Sequence, residues 1–176
     1  MTGMRYVALR YFNVAGADPQ ARYGQSTTKT TLLVQIAVQC ALGVRERLEI
    51  FGTDYPTADG TCIRDYLHVT DLIDTHVLAL EHLRASGGNL TLNVGYGHGF
   101  SVRDIIDTVK AVTGRDFKVR EGLRRPGDPV AVVAEANRIR RDLGWTPRFD
   151  DINLIVRHAA QWEEVMRAKR KAGLAS

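Results

Sequence analysis

Along this chain, apolar residues alternate with polar ones in several short runs and recur every three to four positions in others, which predicts strands interleaved with helices. Residues 7–13 alternate and predict a strand, followed by a loop over 16–24 that carries Pro19. Leu33, Ile36, Ala37 and Cys40 fall at helical spacing, with Gly43 as the stop. Residues 48–51 predict a short strand and 63–69 a second alternating one. Thr70 is placed to cap a helix running to about Arg84 that buries Ile73, Val77 and Leu80 and ends at Ser86-Gly87-Gly88. Residues 90–94 predict the next strand. Ser101, with Asp104 three residues on, opens the clearest helix, whose stripe is Val102, Ile105, Ile106, Val109 and Val112 and whose end is Gly114. Residues 117–120 and 130–134 predict short strands, 137–143 a brief helix, and 152 to about 170 a terminal helix with Ile155, Val156, Ala159, Trp162 and Met166 inward. This alternation predicts an α/β fold with short strands and parallel crossovers.

Within that frame, residues 53–60 are turn chemistry: Pro56 fixes one dihedral and Asp59-Gly60 suits a tight turn. The loop delivers Arg64 and Tyr66 to one place. Two apart in an extended segment, they share a face, and a guanidinium beside a phenol suits a phosphate and a sugar or base. The competing reading of Arg64 is a surface arginine paired with Asp54 or Asp59. Arg124-Arg125-Pro126-Gly127-Asp128 sets two arginines before a turn, and a guanidinium fork fits a pyrophosphate. Its competing reading is a solvated basic loop in which Asp128 satisfies the turn backbone. The run from Gly95 to Ser101 sits where a dinucleotide fingerprint would, but the third glycine is replaced by Phe100 and no acidic strand end follows, so its glycines read as mainly structural. His68, Asp71, His76 and His82 invite a metal reading, yet His76 and His82 are six apart on a helix, and no metal site is expected. His68 and Asp65 read instead as hydrogen-bonding supports behind Arg64.

Composition narrows the class. With 44% hydrophobic and 25% charged residues over 176 positions, the chain is expected to be a soluble globular unit with a real core and no membrane span. Residues 1–17 lack the apolar block of a secretory signal, and the two cysteines, Cys40 and Cys62, form neither a disulfide framework nor a metal spacing, so a cytoplasmic setting is expected. The net charge of +4 is dispersed over 118–125, 138–141 and 167–171 rather than along an aromatic-studded surface, and nucleic-acid binding is not expected.

Four phrases carry a resemblance: 51–72, from Phe51-Gly-Thr-Asp-Tyr-Pro through Cys62-Ile-Arg-Asp-Tyr-Leu-His68 to Leu72; Leu9-Arg-Tyr-Phe-Asn-Val-Ala-Gly-Ala17; Asn93-Val-Gly-Tyr-Gly-His-Gly-Phe-Ser-Val102; and Arg124 to Asp128 followed by Asp142-Leu-Gly-Trp-Thr-Pro147. In this order they resemble the UDP-glucose 4-epimerases of the extended short-chain dehydrogenase/reductase family. The resemblance implies an α/β fold, the C-terminal substrate-binding part of that family's fold with a residual strand of the Rossmann sheet, and residues 1–176 as one incomplete unit whose NAD-binding portion is absent. It implies inversion at C4 of a UDP-hexose through a 4-keto intermediate with bound NAD, and a homodimer for the complete enzyme. Arg64 and Arg125 would hold the UDP phosphates and Asp128 a ribose hydroxyl. Asn13, Leu32 and Tyr66 would line the sugar-nucleotide pocket, Val132 would stand at the sugar gate, and Tyr11 and Phe12 would lie against the nicotinamide of NAD. Around 30–34 the histidine or asparagine and the proline common in the family are missing. The family's catalytic Tyr-x-x-x-Lys is matched by none of the six tyrosines, so no catalytic residue is assigned and the chain alone is expected to be inactive. The alternatives are a non-catalytic nucleotide-diphosphate-binding or assembly module, and a related UDP-sugar epimerase or dehydratase.

Overall fold

In the computed structural model, residues 3–27 and 29–173 are described; the N-terminal reading above also touches Met1 and Thr2, which lie outside them. The elements in order are β1 (Val7–Tyr11), β2 (Asn13–Ala15), α1 (Leu33–Ala41), β3 (Arg47–Phe51), β4 (Ile63–Arg64), β5 (Tyr66–His68), α2 (Val69–Arg84), β6 (Leu90–Val94), β7 (Phe100–Ser101), α3 (Val102–Thr113), β8 (Lys118–Gly122), β9 (Ala131–Val132), α4 (Asn137–Leu143) and α5 (Ile152–Lys171). The α/β expectation holds, and four of the five strand pairings are parallel: β1 with β6, β2 with β5, β3 with β8 and β4 with β9. Among the described residues only β4 with β7 is antiparallel.

Two predicted strands are each split in two. The run 7–13 breaks at Phe12, where the chain leaves β6 for β5, and the Asn13 amide donates to the Asp65 carbonyl at 3.0 Å. The run 63–69 breaks at Asp65, between β4 in a three-stranded sheet and β5 beside β2. Arg64 and Tyr66 therefore belong to different sheets. The N-terminal strand pairs with β6 over Val7–Tyr11, and its Val7 and Leu9 pack against the core.

Helix α3 is as read: the Ser101 hydroxyl accepts from the Asp104 amide, the Asp104 carboxylate accepts from the Ser101 amide, and Gly114 closes the helix at φ +63°. Helix α2 is not. Its N-cap is His68, whose ring accepts from the Thr70 amide at 3.0 Å, and its buried face is Asp71, Leu72, Thr75 and Ala79. Ile73, Val77 and Leu80 are 55, 49 and 49% exposed. The reason is polar. Asp71 is fully buried and accepts from the Tyr96 hydroxyl (2.6 Å) and from the Arg148 and Phe149 amides (3.0 and 2.9 Å), and charge-assisted bonds of this kind turn the helix against its apolar stripe. Helices α1, α3 and α5 pack on one another over a core that includes Val38, Ile50, Leu67, Val94, Ile105, Val109, Ile139 and Ile155. Among the described residues no helix is long and apolar enough to cross a membrane.

Candidate sugar-nucleotide site

Strand β3 buries Leu48 and Ile50 and turns Arg47, Glu49 and Phe51 the other way, as alternation requires. That second face forms one wall of a pocket of about 490 Å³. The segment before α1, with Thr30, Thr31 and Leu32, forms another wall, and Asn13, Arg64, Tyr66, Arg125 and Asp128 complete it. Six of the residues singled out in the sequence thus meet in one place, from four separate stretches of chain.

Arg64 is held by its own neighbourhood. One guanidinium nitrogen donates to the Ile63 carbonyl at 2.7 Å and another forms an ion pair with Asp128, so neither Asp54 nor Asp59 is its partner. Asp54 instead binds Arg124, at 2.6 Å to Nε, and Arg124 lies 4.0 Å over the Tyr55 ring. Arg125 stacks on Phe51 with its guanidinium carbon 3.7 Å from the ring centroid, a cation–π contact that leaves its N–H edge open to a ligand. The two adjacent arginines thus divide: Arg124 secures the loop at 53–61, and Arg125 faces the pocket. In that loop Gly60 has φ +78°, and a Cβ there would run into the Thr53 carbonyl, so the turn needs glycine.

Four arginines (Arg45, Arg47, Arg64 and Arg125) and two carboxylates (Glu49 and Asp128) line the pocket, a charge balance suited to a diphosphate. Burial pushes the Tyr66 phenol far up, so it is a neutral donor at physiological pH, and burial likewise raises the Cys62 thiol. The supports lie behind. Asp65, fully buried, accepts from the Tyr96, Gly97 and Ala134 amides at 3.1, 3.0 and 3.2 Å, which fixes the glycine turn and the strand of Val132 to the back of Arg64. His68 shares a 3.0 Å hydrogen bond with His158 and stacks on Phe149 with centroids 4.5 Å apart. Asp65 is thus a support of the kind expected behind Arg64, whereas the His68 ring caps α2 and joins it to α5. His76 and His82 are spent on the Leu72 and Gly88 carbonyls, and among the described residues no group of three or more His, Cys, Asp or Glu gathers for a metal.

Val132, Tyr11 and Phe12 line a neighbouring open groove with Arg10 and Asn93, and the groove joins the pocket at Asn13 and Leu32. Its flat aromatic walls fit one ring of a dinucleotide cofactor. The turn at 95–99 does not fit the other part, since Gly95 faces Asp65 and Ala134 and the Tyr96 and Gly97 amides are committed to the Asp65 carboxylate rather than free for a phosphate. Sequence reasoning missed Arg45, Arg47, Glu49 and Phe51 as pocket walls; the alternation of β3 was the available signal for the last three.

Parallel strand pairs under helices, with guanidinium groups from distant segments gathered at one cleft, define an α/β protein with a basic pocket. The model of the NAD dependent epimerase/dehydratase family matches residues 1–95, and the chain belongs to that family. It is 56% identical to the UDP-glucose 4-epimerase of Azospirillum brasilense over 92% of this chain and 46% of that protein. Among solved structures it is similar to the UDP-glucose 4-epimerase of Brucella ovis in complex with NAD, with a TM-score of 0.86 at 47% identity over 90% of this chain and 49% of the other. It is also similar to that of Stenotrophomonas maltophila with bound NAD and formylated UDP-arabinopyranose, with a TM-score of 0.87 at 38% identity over 94% and 48%. The chain spans about half the length of the curated relatives it matches, corresponding to their C-terminal half.

Proposed function

We propose that these 176 residues are the part of a UDP-glucose 4-epimerase that grips the sugar nucleotide. The observation that carries this reading is the meeting of Arg64, Arg125 and Asp128 with Asn13, Leu32 and Tyr66 in one pocket. Arg64 and Arg125 bind the diphosphate, Asp128 takes a ribose hydroxyl, and Tyr66 donates from a phenol that burial keeps protonated. Strong contacts at the nucleotide leave the hexose few fixed partners, so it can turn and present either face at C4. Val132, at the rim toward Asn13 and Leu32, leaves space for that rotation. Tyr11 and Phe12 flank the nicotinamide end of NAD, which when bound supplies reversible hydride acceptance through a 4-keto sugar. The remaining NAD contacts belong to a separate NAD-binding portion, so the chain is one incomplete unit. A homodimeric whole enzyme in the cytoplasm belongs to the same reading.

Titration calorimetry tests it. UDP is expected to bind, and Arg125→Ala to weaken binding by about 10- to 100-fold, the worth of a hydrogen-bonded charge. A chain that ignores millimolar UDP, or an Arg125→Ala variant that binds as well as the parent, overturns the assignment. A second expectation is the absence of turnover: with UDP-galactose and added NAD this chain forms no UDP-glucose, because no Tyr-x-x-x-Lys lies in the sequence. Measurable conversion in a coupled assay would show that another residue serves as the base.

A further inference from the structure

A strut of side-chain hydrogen bonds runs through the interior from the last turns of α5 to the wall of the pocket. Arg170 donates to one oxygen of Glu163 at 2.8 Å, and the Gln39 amide nitrogen donates to the other at 3.3 Å. The Gln39 amide oxygen accepts from the Arg45 Nε at 2.7 Å, and Nη2 of the same guanidinium donates to the Thr30 carbonyl at 3.3 Å. The Thr30 hydroxyl then accepts from the Leu32 amide at 3.1 Å. Glu163 and Gln39 are 1 and 3% exposed, and groups of this kind are rarely so deep unless paired. A carboxylate only accepts and a guanidinium only donates, so Gln39 between them has a single orientation. The far end of the strut meets a residue that packing alone does not fix. Leu32 is 38% exposed, faces the pocket and the neighbouring groove, and has behind it a cavity of about 40 Å³ that Glu163 also lines.

We propose that Glu163, Gln39 and Arg45 are positioning residues for the sugar end of the pocket, acting through the wall at 30–32. The proposal deepens the nucleotide-sugar reading above and rests on it. With open space on both sides, Leu32 keeps its place because its amide is tied to Thr30, and Thr30 keeps its place because Arg45 holds its carbonyl. Arg45 is aimed in turn by Gln39, whose backbone carbonyl also accepts from the Val44 and Arg45 amides at 2.8 and 3.1 Å and so fixes the turn that carries the arginine. The groups assigned to the diphosphate and ribose, Arg64, Arg125 and Asp128, come from segments outside the strut. Releasing the strut therefore loosens the wall beside the hexose and leaves the grip on the nucleotide in place.

Calorimetric titration with UDP and with UDP-glucose tests the strut. Gln39→Met keeps the length of the side chain and severs both of its junctions, and it is expected to weaken UDP-glucose relative to UDP by about tenfold, the worth of one hydrogen bond to a charged group. Glu163→Gln combined with Gln39→Glu exchanges the two groups while leaving every junction a donor facing an acceptor, so it should return the ratio to within about twofold of the parent value. A merely structural role would lower the melting temperature of Gln39→Met and leave the ratio as it is. Should Gln39→Met fold poorly, Arg45→Lys gives the same reading, because an ammonium keeps the charge but cannot span Gln39 and Thr30 as the guanidinium fork does. If UDP fails to bind the parent chain, the nucleotide-sugar reading falls and the role of the strut with it. If UDP binds the parent but the ratio holds in Gln39→Met and in Arg45→Lys, or the exchanged pair behaves as Gln39→Met does, the positioning role alone is overturned.

Discussion

Asp65→Ala is expected to destabilise the chain by about 4 kcal/mol, because three buried amides lose their acceptor at about 1–3 kcal/mol each while only part of this is offset by no longer burying a charge. The loss matters for the site as well as for the fold. Asp65 joins the turn after β6, the segment after β9 and the back of β4, so Arg64 and Val132 lose their common anchor together. Urea denaturation measures the first effect, and UDP binding by the surviving folded fraction measures the second. A stability loss under about 1 kcal/mol would mean that solvent reaches those amides and that the carboxylate is not the hub of the site.

The second large effect is a loss of stability in mild acid centred on His68. Burial and the adjacent His158 hold its pKa down at about 4, and burial lowers His158 as well. The geometry agrees: the His68 Nδ1 accepts from the Thr70 amide, so Nε2 carries the single proton and donates to His158, and a second proton on His68 would put two donors nose to nose at the cap. The surroundings also bear on it, with Asp71 favouring the charged form of His68 and Arg148 opposing it, and Asp18 favouring and Arg157 opposing that of His158. The unfolded chain takes up the proton near pH 6.5 and the folded chain only near 4, so the contribution is complete above 6.5 and drains away as pH falls between these values. It amounts to something on the order of 2 kcal/mol. His68→Asn keeps a capping side chain and removes the titration, so its stability should fall less steeply than the parent's from pH 6.5 to 4.5. Parallel slopes for the two proteins would show that His68 is already protonated in the fold or freely hydrated.

Which parts of this molecule could be read from its residues follows from how local their causes are. The capping box of α3, its glycine stop and the inward stripe of α5 are decided within a few neighbours, and they appear where the periodicity put them. The orientation of α2 is decided by Asp71 meeting Tyr96, Arg148 and Phe149 from far along the chain, and apolar spacing pointed to Ile73, Val77 and Leu80 instead. The breaks at Phe12 and Asp65 likewise record changes of strand partner, which no single run of alternation reveals. In the pocket, Arg64, Arg125 and Asp128 stood out because their residue types advertise phosphate chemistry beside turn residues. Phe51 and Glu49 looked like ordinary strand positions, and Gln39 like an ordinary polar residue on a helix, until burial showed what each one faces.

The ion pair between Arg64 and Asp128 gives the empty pocket a form of self-restraint. A free phosphate arriving there meets a guanidinium that already has a tethered counterion at very high effective concentration, and it brings nothing to console the carboxylate it evicts. Under the function proposed above, a nucleoside diphosphate carries its own hydroxyl for that carboxylate, so it can separate the couple without leaving either member stranded. Crowding by common metabolic anions should therefore leave the cleft vacant for the guest whose two ends satisfy both hosts.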